Sequence, residues 1–203
     1  MASGLECRQV GPVTVRVPLV LTGAPAVGKS ATGRALAGQR RRCAFIDADD
    51  VRQLVVAGGA APWDGEQGLV QQHLRAVDAC ALARNILERG IEVVIADVLT
   101  AATAPIYLHL LPACRIVHLT ASWPEALRRA GTRPVWLSEE EFRTLHESDA
   151  VSPPPAHHHL RVDGLTVRSR CGPSANSVTS RAAPDQDRRL ARRAGASWER
   201  DRR

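Results

Sequence analysis

The chain has 203 residues, a mass of 21.9 kDa and 44% hydrophobic residues, which suits a single domain with a substantial core and leaves little room for a second. Its apolar runs are far shorter than the ~20 residues of a membrane-spanning helix, and the N-terminus lacks the pattern of a secretory signal, so we expect a cytoplasmic protein without membrane contact. The net charge is +6, but residues 1–150 hold 16 basic and 16 acidic side chains, whereas residues 151–203 hold 11 and 5, which argues against a nucleic-acid-binding face on the body.

Strand-like and helix-like segments alternate along the body. Apolar, β-branched runs predict strands, amphipathic spacing predicts helices, and glycine or proline marks the turns. In chain order we predict a strand over 15–22, a helix over 29–39, a strand over 41–47, helices over 50–56 and 67–89, a strand over 91–97, a helix over 103–111, a strand over 115–120, helices over 123–129 and 138–147, and a strand over 160–162. Because the strands are too apolar to have a solvated face, we predict a three-layer α/β/α fold with a five-stranded, mainly parallel sheet.

A glycine-framed loop follows the first strand and contains Lys29, the only lysine of the chain. Its eight residues, GAPAVGKS, match the phosphate-binding pattern G-x-x-x-x-G-K-S between a strand and a helix. The glycines let backbone N–H groups turn toward phosphate oxygens, and the hydroxyl of Ser30 is placed to bind Mg²⁺. We predict a site for ATP and Mg²⁺ formed by Gly23, Ala24, Pro25, Ala26, Val27, Gly28, Lys29, Ser30 and Ala31.

The chemistry of that loop explains why lysine is used in an arginine-rich chain. An ammonium group is a compact charge on a flexible stem, so Lys29 can follow the β- and γ-phosphates of a nucleotide. The wide planar fork of an arginine would fit the small cradle poorly. The lysine therefore supports the phosphate-binding interpretation.

Carboxylates follow the second and third predicted strands, at the edge where open α/β sheets bind ligands. Asp47 and Asp49 alternate in FIDADDVR, so one can hold the water shell of a metal while the other accepts the proton of an attacking hydroxyl. The alternative role for Asp49 or Asp50 is a helix N-cap. Asp97 ends VVIAD and is placed to orient the magnesium shell. No glutamate follows it and no N-K-x-D motif is available, which argues against a hydrolytic motor and against a GTPase.

Two further segments carry candidate site residues. WPEALRRAGTRP contains Arg128, Arg129 and Arg133, and arginines on a mobile segment there can close over a transferring phosphoryl group; a solvated helix face is the alternative. GGAAPWDGEQG, residues 58–68, contains Trp63 and Asp64, which could frame an acceptor pocket. Ordinary packing is the alternative role for Trp63.

Together, GAPAVGKS, FIDADDVR, VVIADV and RRAGTR resemble the small P-loop kinases grouped with shikimate kinase, gluconate kinase, adenylylsulfate kinase and chloramphenicol phosphotransferase, and short bacterial proteins labelled AAA-family ATPases. The resemblance covers residues 15–165. It implies that Asp47 assists Mg²⁺, that Asp49 and Arg52 contact the acceptor, and that Arg129 and Arg133 act as lid arginines. The acceptor-pocket residues of no single named kinase match, so the resemblance does not identify the acceptor.

These observations favour an ATP-dependent phosphotransferase that moves the γ-phosphoryl group of Mg·ATP to a hydroxyl of a small molecule. Its catalytic residues would be Lys29, Asp49, Arg129 and Arg133, with Asp49, Arg52 and Trp63 at the acceptor and Ser30, Asp47 and Asp97 at the metal. Two alternatives stay open: a nucleotide-binding regulatory ATPase without an acceptor, and a nucleotide-sugar kinase similar to zeta toxins.

The ends of the chain are expected to lie outside the catalytic domain, which we place at 15–167. Residues 1–14 form an extension, and residues 168–203 form an Arg-, Pro- and Ser-rich tail that we expect to be disordered and that could contact RNA or an acidic partner. The histidines at 157–159 are interpreted as a solvated linker rather than a metal site. Five scattered cysteines fit reduced thiols: Cys7, Cys43, Cys80, Cys114 and Cys171.

Overall fold

The computed structural model describes residues 17–132 and 137–171, and the statements below refer to these residues. The strands are β1 (Leu19–Thr22), β2 (Cys43–Asp47), β3 (Glu92–Ala96), β4 (Arg115–Thr120) and β5 (His158–Arg161). The helices are α1 (Lys29–Gly38), α2 (Ala48–Arg52), α3 (Gly65–Glu88), α4 (Ala104–Leu110), α5 (Trp123–Ala130), α6 (Glu139–Val151) and α7 (Val167–Arg170).

The strands form one five-stranded sheet in the order β2-β3-β1-β4-β5. All four neighbouring pairs are parallel, which confirms the predicted α/β architecture. From β1 the chain runs first to the β2-β3 side of the sheet and then to the β4-β5 side. The carboxyl end of β1 is therefore the switch point at which open α/β sheets bind ligands.

The two faces of the sheet are covered by different helices. Val20, Ile95 and Ile116 face α3 and α4 in one apolar cluster, whereas Leu21 and Leu119 belong to the cluster on the opposite face, beside α1. Each such fully buried aliphatic side chain contributes about 1.5–3 kcal/mol through the hydrophobic effect. The core therefore fixes the carboxyl ends of β1, β3 and β4 relative to one another.

The edge strand β5 differs from the sequence-based expectation. The linker interpretation of the three histidines is wrong, because His158 and His159 pair with β4, and the ring Nδ1 of His157 accepts the N–H of Ile116 at 3.0 Å. Pairing with a neighbouring strand satisfies the backbone of this polar segment. A local sequence pattern contains no sign of such a partner.

The packed part of the chain extends past the expected domain end at residue 167. Arg170 and Cys171 are buried, and the thiol of Cys171 lies 3.8 Å from the carbonyl oxygen of Thr32. The predictions for Cys7, for Arg133 and for residues 172–203 lie outside the described residues. Within the described ranges, no helix is both long and apolar enough to cross a membrane.

Candidate nucleotide and acceptor site

The glycine-framed loop connects β1 to α1, as the sequence predicts. Gly23 has φ 136°, and a Cβ there would overlap the carbonyl oxygen of Leu119, so only glycine fits where β1 meets β4. Gly28 has φ 99° and Ala26 has φ 60°. A positive φ in alanine costs of order 1–3 kcal/mol, and the surrounding contacts hold this turn in place.

Lys29 begins α1 and reaches back over the loop. Its Nζ donates to the carbonyl oxygens of Gly23 at 2.9 Å and Ala24 at 3.0 Å, which leaves one of the three ammonium hydrogens for a ligand. Burial lowers the pKa of Lys29, while the carboxylates of Asp49, Asp97, Asp47 and Asp149, in that order of strength, oppose the shift. The lysine thus lies among the carboxylates that the sequence predicts at this edge of the sheet.

Two further loop carbonyls, those of Pro25 and Val27, are held by side chains from other helices. His146 of α6 lies with Nε2 2.8 Å from the carbonyl oxygen of Pro25, and Arg129 of α5 donates from Nη1 to that of Val27 at 2.8 Å. Because a planar trans peptide directs its N–H opposite its C=O, an outward-held carbonyl turns the next N–H inward. The geometry thus directs the N–H groups of Ala26 and Gly28 into the loop, as a phosphate cradle requires.

All three guanidinium nitrogens of Arg129 have hydrogen-bond partners among the described residues. Besides Val27, it contacts Glu125 through Nε at 2.7 Å and the carbonyl of Val162 through Nη2 at 2.8 Å. The exposed Arg128 also pairs with Glu125, and this hydrogen bond, with the charge of Arg129, lowers the pKa of Glu125 to about 2. The observed contacts of Arg129 support the loop, and its predicted action on the phosphoryl group stays a prediction.

The carboxylates after β2 have distinct environments. Asp47 caps α2, because its Oδ1 accepts the N–H of Asp49 at 3.3 Å, so the capping role belongs to Asp47 and not to Asp49 or Asp50. Asp50 lies 3.8 Å from Arg34 on the surface. Asp49 has a carboxylate side chain that is 63% exposed, and Arg52 ends α2 three residues later. Asp49 and Asp50, whose side chain is 70% exposed, are therefore both accessible, but only Asp49 lies beside Arg75 at the edge of the sheet.

Asp97, directly after β3, is buried and has three hydrogen-bond partners. Its Oδ1 accepts the N–H of Val98 at 2.7 Å and lies 3.0 Å from Nη2 of Arg75, and its Oδ2 accepts the hydroxyl of Tyr107 at 2.9 Å. Burial raises the pKa of Asp97, and these three partners act against that shift. Its predicted role at the magnesium shell stays a prediction, but both oxygens are already bound to protein groups.

Arg75 of α3 is the site residue that sequence reasoning missed. The side chain is 4% exposed; Nη2 also donates to the carbonyl of Val98 at 3.1 Å, and Nη1 lies 3.9 Å from Oδ1 of Asp49. In the described part of the chain its buried Nε has no hydrogen-bond partner. A signal exists in the sequence: Arg75 has the same helical phase as the small residues Ala79 and Ala83, which face the core.

Trp63 lies in the loop between α2 and α3 and is 51% exposed. Two bonds shape this loop: Asp64 accepts the N–H of Ala61 at 2.6 Å, and Gln72 donates to the carbonyl of Pro62 at 3.1 Å. Asp64 therefore has a structural partner. The predicted acceptor contact of Trp63 is not tested by these observations.

The residues at the loop fit Mg²⁺ better than a metal held wholly by protein. Across 17–132 and 137–171, no group of three or more His, Cys, Asp and Glu side chains is arranged to hold a metal ion. Mg²⁺ takes one or two protein oxygens and completes its shell with phosphates and water. The hydroxyl of Ser30 and the carboxylate of Asp47 are donors of this kind.

Comparison with known proteins shows the fold. No family model matches the chain, and no curated protein matches it. The shikimate kinase from Acinetobacter baumannii in complex with shikimate has a TM-score of 0.60 at 21% identity, over 81% of this chain and 94% of that one. A sugar kinase from Janibacter sp. gives 0.58 at 14% identity, over 88% and 92%. The tunicamycin resistance protein of Deinococcus radiodurans gives 0.56 at 14% identity, over 83% and 99%.

The sheet order, the loop on β1 and these likenesses define a P-loop kinase fold. Within that class, the fold is similar to that of shikimate kinase, which confirms the fold that the motif resemblance implies.

Proposed function

We propose that this protein transfers the γ-phosphoryl group of Mg·ATP to a hydroxyl group of a small molecule. The observation that carries the proposal is the position of Lys29. Its ammonium group is held on the loop carbonyls, and of the carboxylates that raise its pKa against the effect of burial, Asp49 has the largest effect. A phosphate-binding cation and an exposed carboxylate thus share one edge of the sheet. The likeness to kinase folds supports the same reading.

The donor half of the site consists of the loop, Lys29 and Ser30. The inward N–H groups and the positive end of α1 bind the phosphates, and the remaining hydrogen of Lys29 is directed to the β- and γ-phosphate oxygens. Ser30 and Asp47 would hold the metal, which neutralises the charge that develops on the transferred group.

The acceptor half is centred on Asp49. Its carboxylate accepts the proton of the acceptor hydroxyl while that oxygen forms a bond to the γ-phosphorus and the bond from phosphorus to the departing ADP oxygen breaks. The products are a phosphate ester and ADP, and the proton leaves Asp49 for solvent. The exposure of this carboxylate, 63%, makes it accessible to an acceptor.

Asp97 and Arg75 support Asp49 from the protein interior. We assign Asp97 to holding Arg75, since its carboxylate binds Nη2 at 3.0 Å, and Arg75 to orienting Asp49 through Nη1. A guanidinium group fixed by a buried carboxylate loses little freedom when it contacts a second one. Arg75 is therefore a positioning residue in this proposal.

The test is a kinase assay with radiolabelled ATP, Mg²⁺ and a panel of hydroxyl compounds that includes shikimate, sugars and nucleotide sugars. We expect a phosphorylated acceptor with wild-type protein, a loss of about 10²–10⁴-fold in turnover with Asp49→Asn, and near-normal turnover with Asp50→Asn as the matched control. Nucleotide binding without any phosphorylated acceptor would contradict the proposal and favour the regulatory alternative. Phosphorylation confined to nucleotide sugars would favour the toxin-like kinase.

A further inference from the structure

Arg170 in α7, close to the C-terminal end of the described residues, contacts the phosphate-binding loop. The residue is 6% exposed, and its Nη2 donates to the carbonyl of Leu165 at 2.8 Å. Its Nη1 lies 3.4 Å from the carbonyl oxygen of Val27 and 3.4 Å from the hydroxyl of Thr32. Arg170 therefore links the end of the described chain to the loop and to α1.

Arg170 and Arg129 meet at the same peptide unit. Both direct Nη1 to the carbonyl of Val27, at 3.4 Å and 2.8 Å respectively. A Cβ on Gly28 would overlap Nη1 of Arg170 and lie 3.8 Å from Nη1 of Arg129. Gly28 thus leaves room for the guanidinium group of Arg170, in addition to adopting a backbone angle that favours glycine.

Arginines outnumber carboxylates around the Val27 carbonyl. Glu125 pairs with Arg128 and Arg129, whereas Arg170 forms no ion pair with any carboxylate of residues 17–132 and 137–171. Burial, and then the charge of Arg129, lower the pKa of Arg170, and the charge of Glu125 opposes the shift without reversing it; the buried Nε has no hydrogen-bond partner among these residues. A buried cation without a paired carboxylate is costly, and a polyphosphate in the adjacent loop would offset that cost.

The carbonyl of Val27 and the N–H of Gly28 belong to one planar peptide. Two guanidinium groups on the oxygen hold the plane and polarise it, which makes the N–H a stronger donor toward the opposite side. The N–H of Gly28 belongs to the loop that cradles the phosphates.

We propose that Arg170 is a positioning residue for the nucleotide: it fixes the Val27–Gly28 peptide with its N–H toward the phosphates and places unmatched positive charge behind the loop. This inference rests on the proposed nucleotide site. A purely structural role, in which Arg170 only joins α7 to Leu165, is the alternative, and it predicts lower stability without any change in phosphate affinity.

Calorimetric titration separates the two roles, with Mg·ATP and with magnesium tripolyphosphate as a probe that contains the phosphates alone. We expect Arg170→Met to weaken both ligands about tenfold, the loss typical of one charge-assisted hydrogen bond. Arg170→Lys keeps the charge without the fork and should weaken both about threefold. Arg168→Met is the matched control, because Arg168 is an exposed residue of the same helix, and its affinities should stay within twofold of wild type.

Unchanged affinities in folded Arg170→Met, with only a lower melting temperature, would overturn the proposal. A loss for Mg·ATP with none for tripolyphosphate would also overturn it, because the effect would then not act through the phosphates. If Arg170→Met does not fold, Arg170→Lys decides, and binding indistinguishable from wild type would count against the inference. A wild-type protein that binds neither probe would instead contradict the nucleotide site itself.

Discussion

Arg75 links Asp97 to Asp49: its Nη2 lies 3.0 Å from the buried carboxylate of Asp97 and its Nη1 lies 3.9 Å from the exposed carboxylate of Asp49. One guanidinium group thus connects the carboxyl end of β3 with the residue that we propose accepts the acceptor proton. On the interior side, the hydroxyl of Tyr107 donates a hydrogen bond to Asp97.

Removing Arg75 should destabilise the fold through Asp97. Arg75→Met leaves a buried carboxylate without its cation, and loss of one partner of a buried pair costs about 3–5 kcal/mol. The double variant Arg75→Met/Asp97→Asn removes both charges and keeps an oxygen for Tyr107, so we expect most of the loss to be recovered. Urea denaturation measures the free energy of unfolding, and a loss below about 1 kcal/mol in the single variant would show that the pair is not a buried unit.

The protein should lose stability at acidic pH because His146 becomes protonated more readily in the unfolded state than in the folded one. Burial lowers the pKa of this histidine below its ordinary 6.5, while the bond to the Pro25 carbonyl and the charge of Asp149 oppose the shift and Lys29 adds to it. Since the folded-state value lies below the unfolded one, the contribution is complete above pH 6.5 and is lost as the pH falls through the lowered folded value.

The matched variant for that pH dependence is His146→Gln, whose amide can donate to Pro25 without titrating. Denaturation at several pH values between 5 and 8 should show a steeper loss of stability on acidification in the wild type than in the variant. Identical pH profiles would show that His146 does not contribute.

Gly23 and Gly38 should respond in opposite directions to the same substitution. Gly23→Ala places a methyl group against the Leu119 carbonyl at φ 136°, so we expect a loss of about 3 kcal/mol or more and impaired nucleotide binding. Gly38→Ala meets no atom within 4 Å at the end of α1 and should gain up to ~1 kcal/mol. Thermal denaturation of both variants is the measurement, and equal effects would contradict the close approach at Gly23.

The phosphate-binding loop could be predicted from sequence because its chemistry lies in eight consecutive residues, GAPAVGKS. Asp47, Asp49 and Asp97 could also be placed, since parallel strands bring their carboxyl ends to one edge. The capping box that begins α6 is likewise local, because Ser138 and Glu141 lie three residues apart. In each case the signal lies within a few residues of the structure that it specifies.

The features that the sequence did not predict share a physical cause: each depends on a contact with a residue or strand that is distant in the chain. Arg75 depends on Asp97, 22 residues later, and a local pattern does not distinguish a buried arginine from an exposed one unless its helical phase is read. Arg170 lies in a four-residue helix inside a segment whose composition suggests disorder, and its partner Val27 lies 143 residues earlier. The polar strand β5 is fixed by pairing with β4, which its own sequence does not encode.

Calorimetric titration of Mg·ATP into the wild-type protein and into Lys29→Ala tests the central claim most directly. We expect saturable binding by the wild type and, because the variant lacks the ammonium group held at 2.9 Å and 3.0 Å on the loop carbonyls, a loss of affinity of about 10- to 100-fold. Folded wild-type protein that binds no Mg·ATP at millimolar concentration, or a Lys29→Ala protein that binds it as tightly as the wild type, would contradict the account.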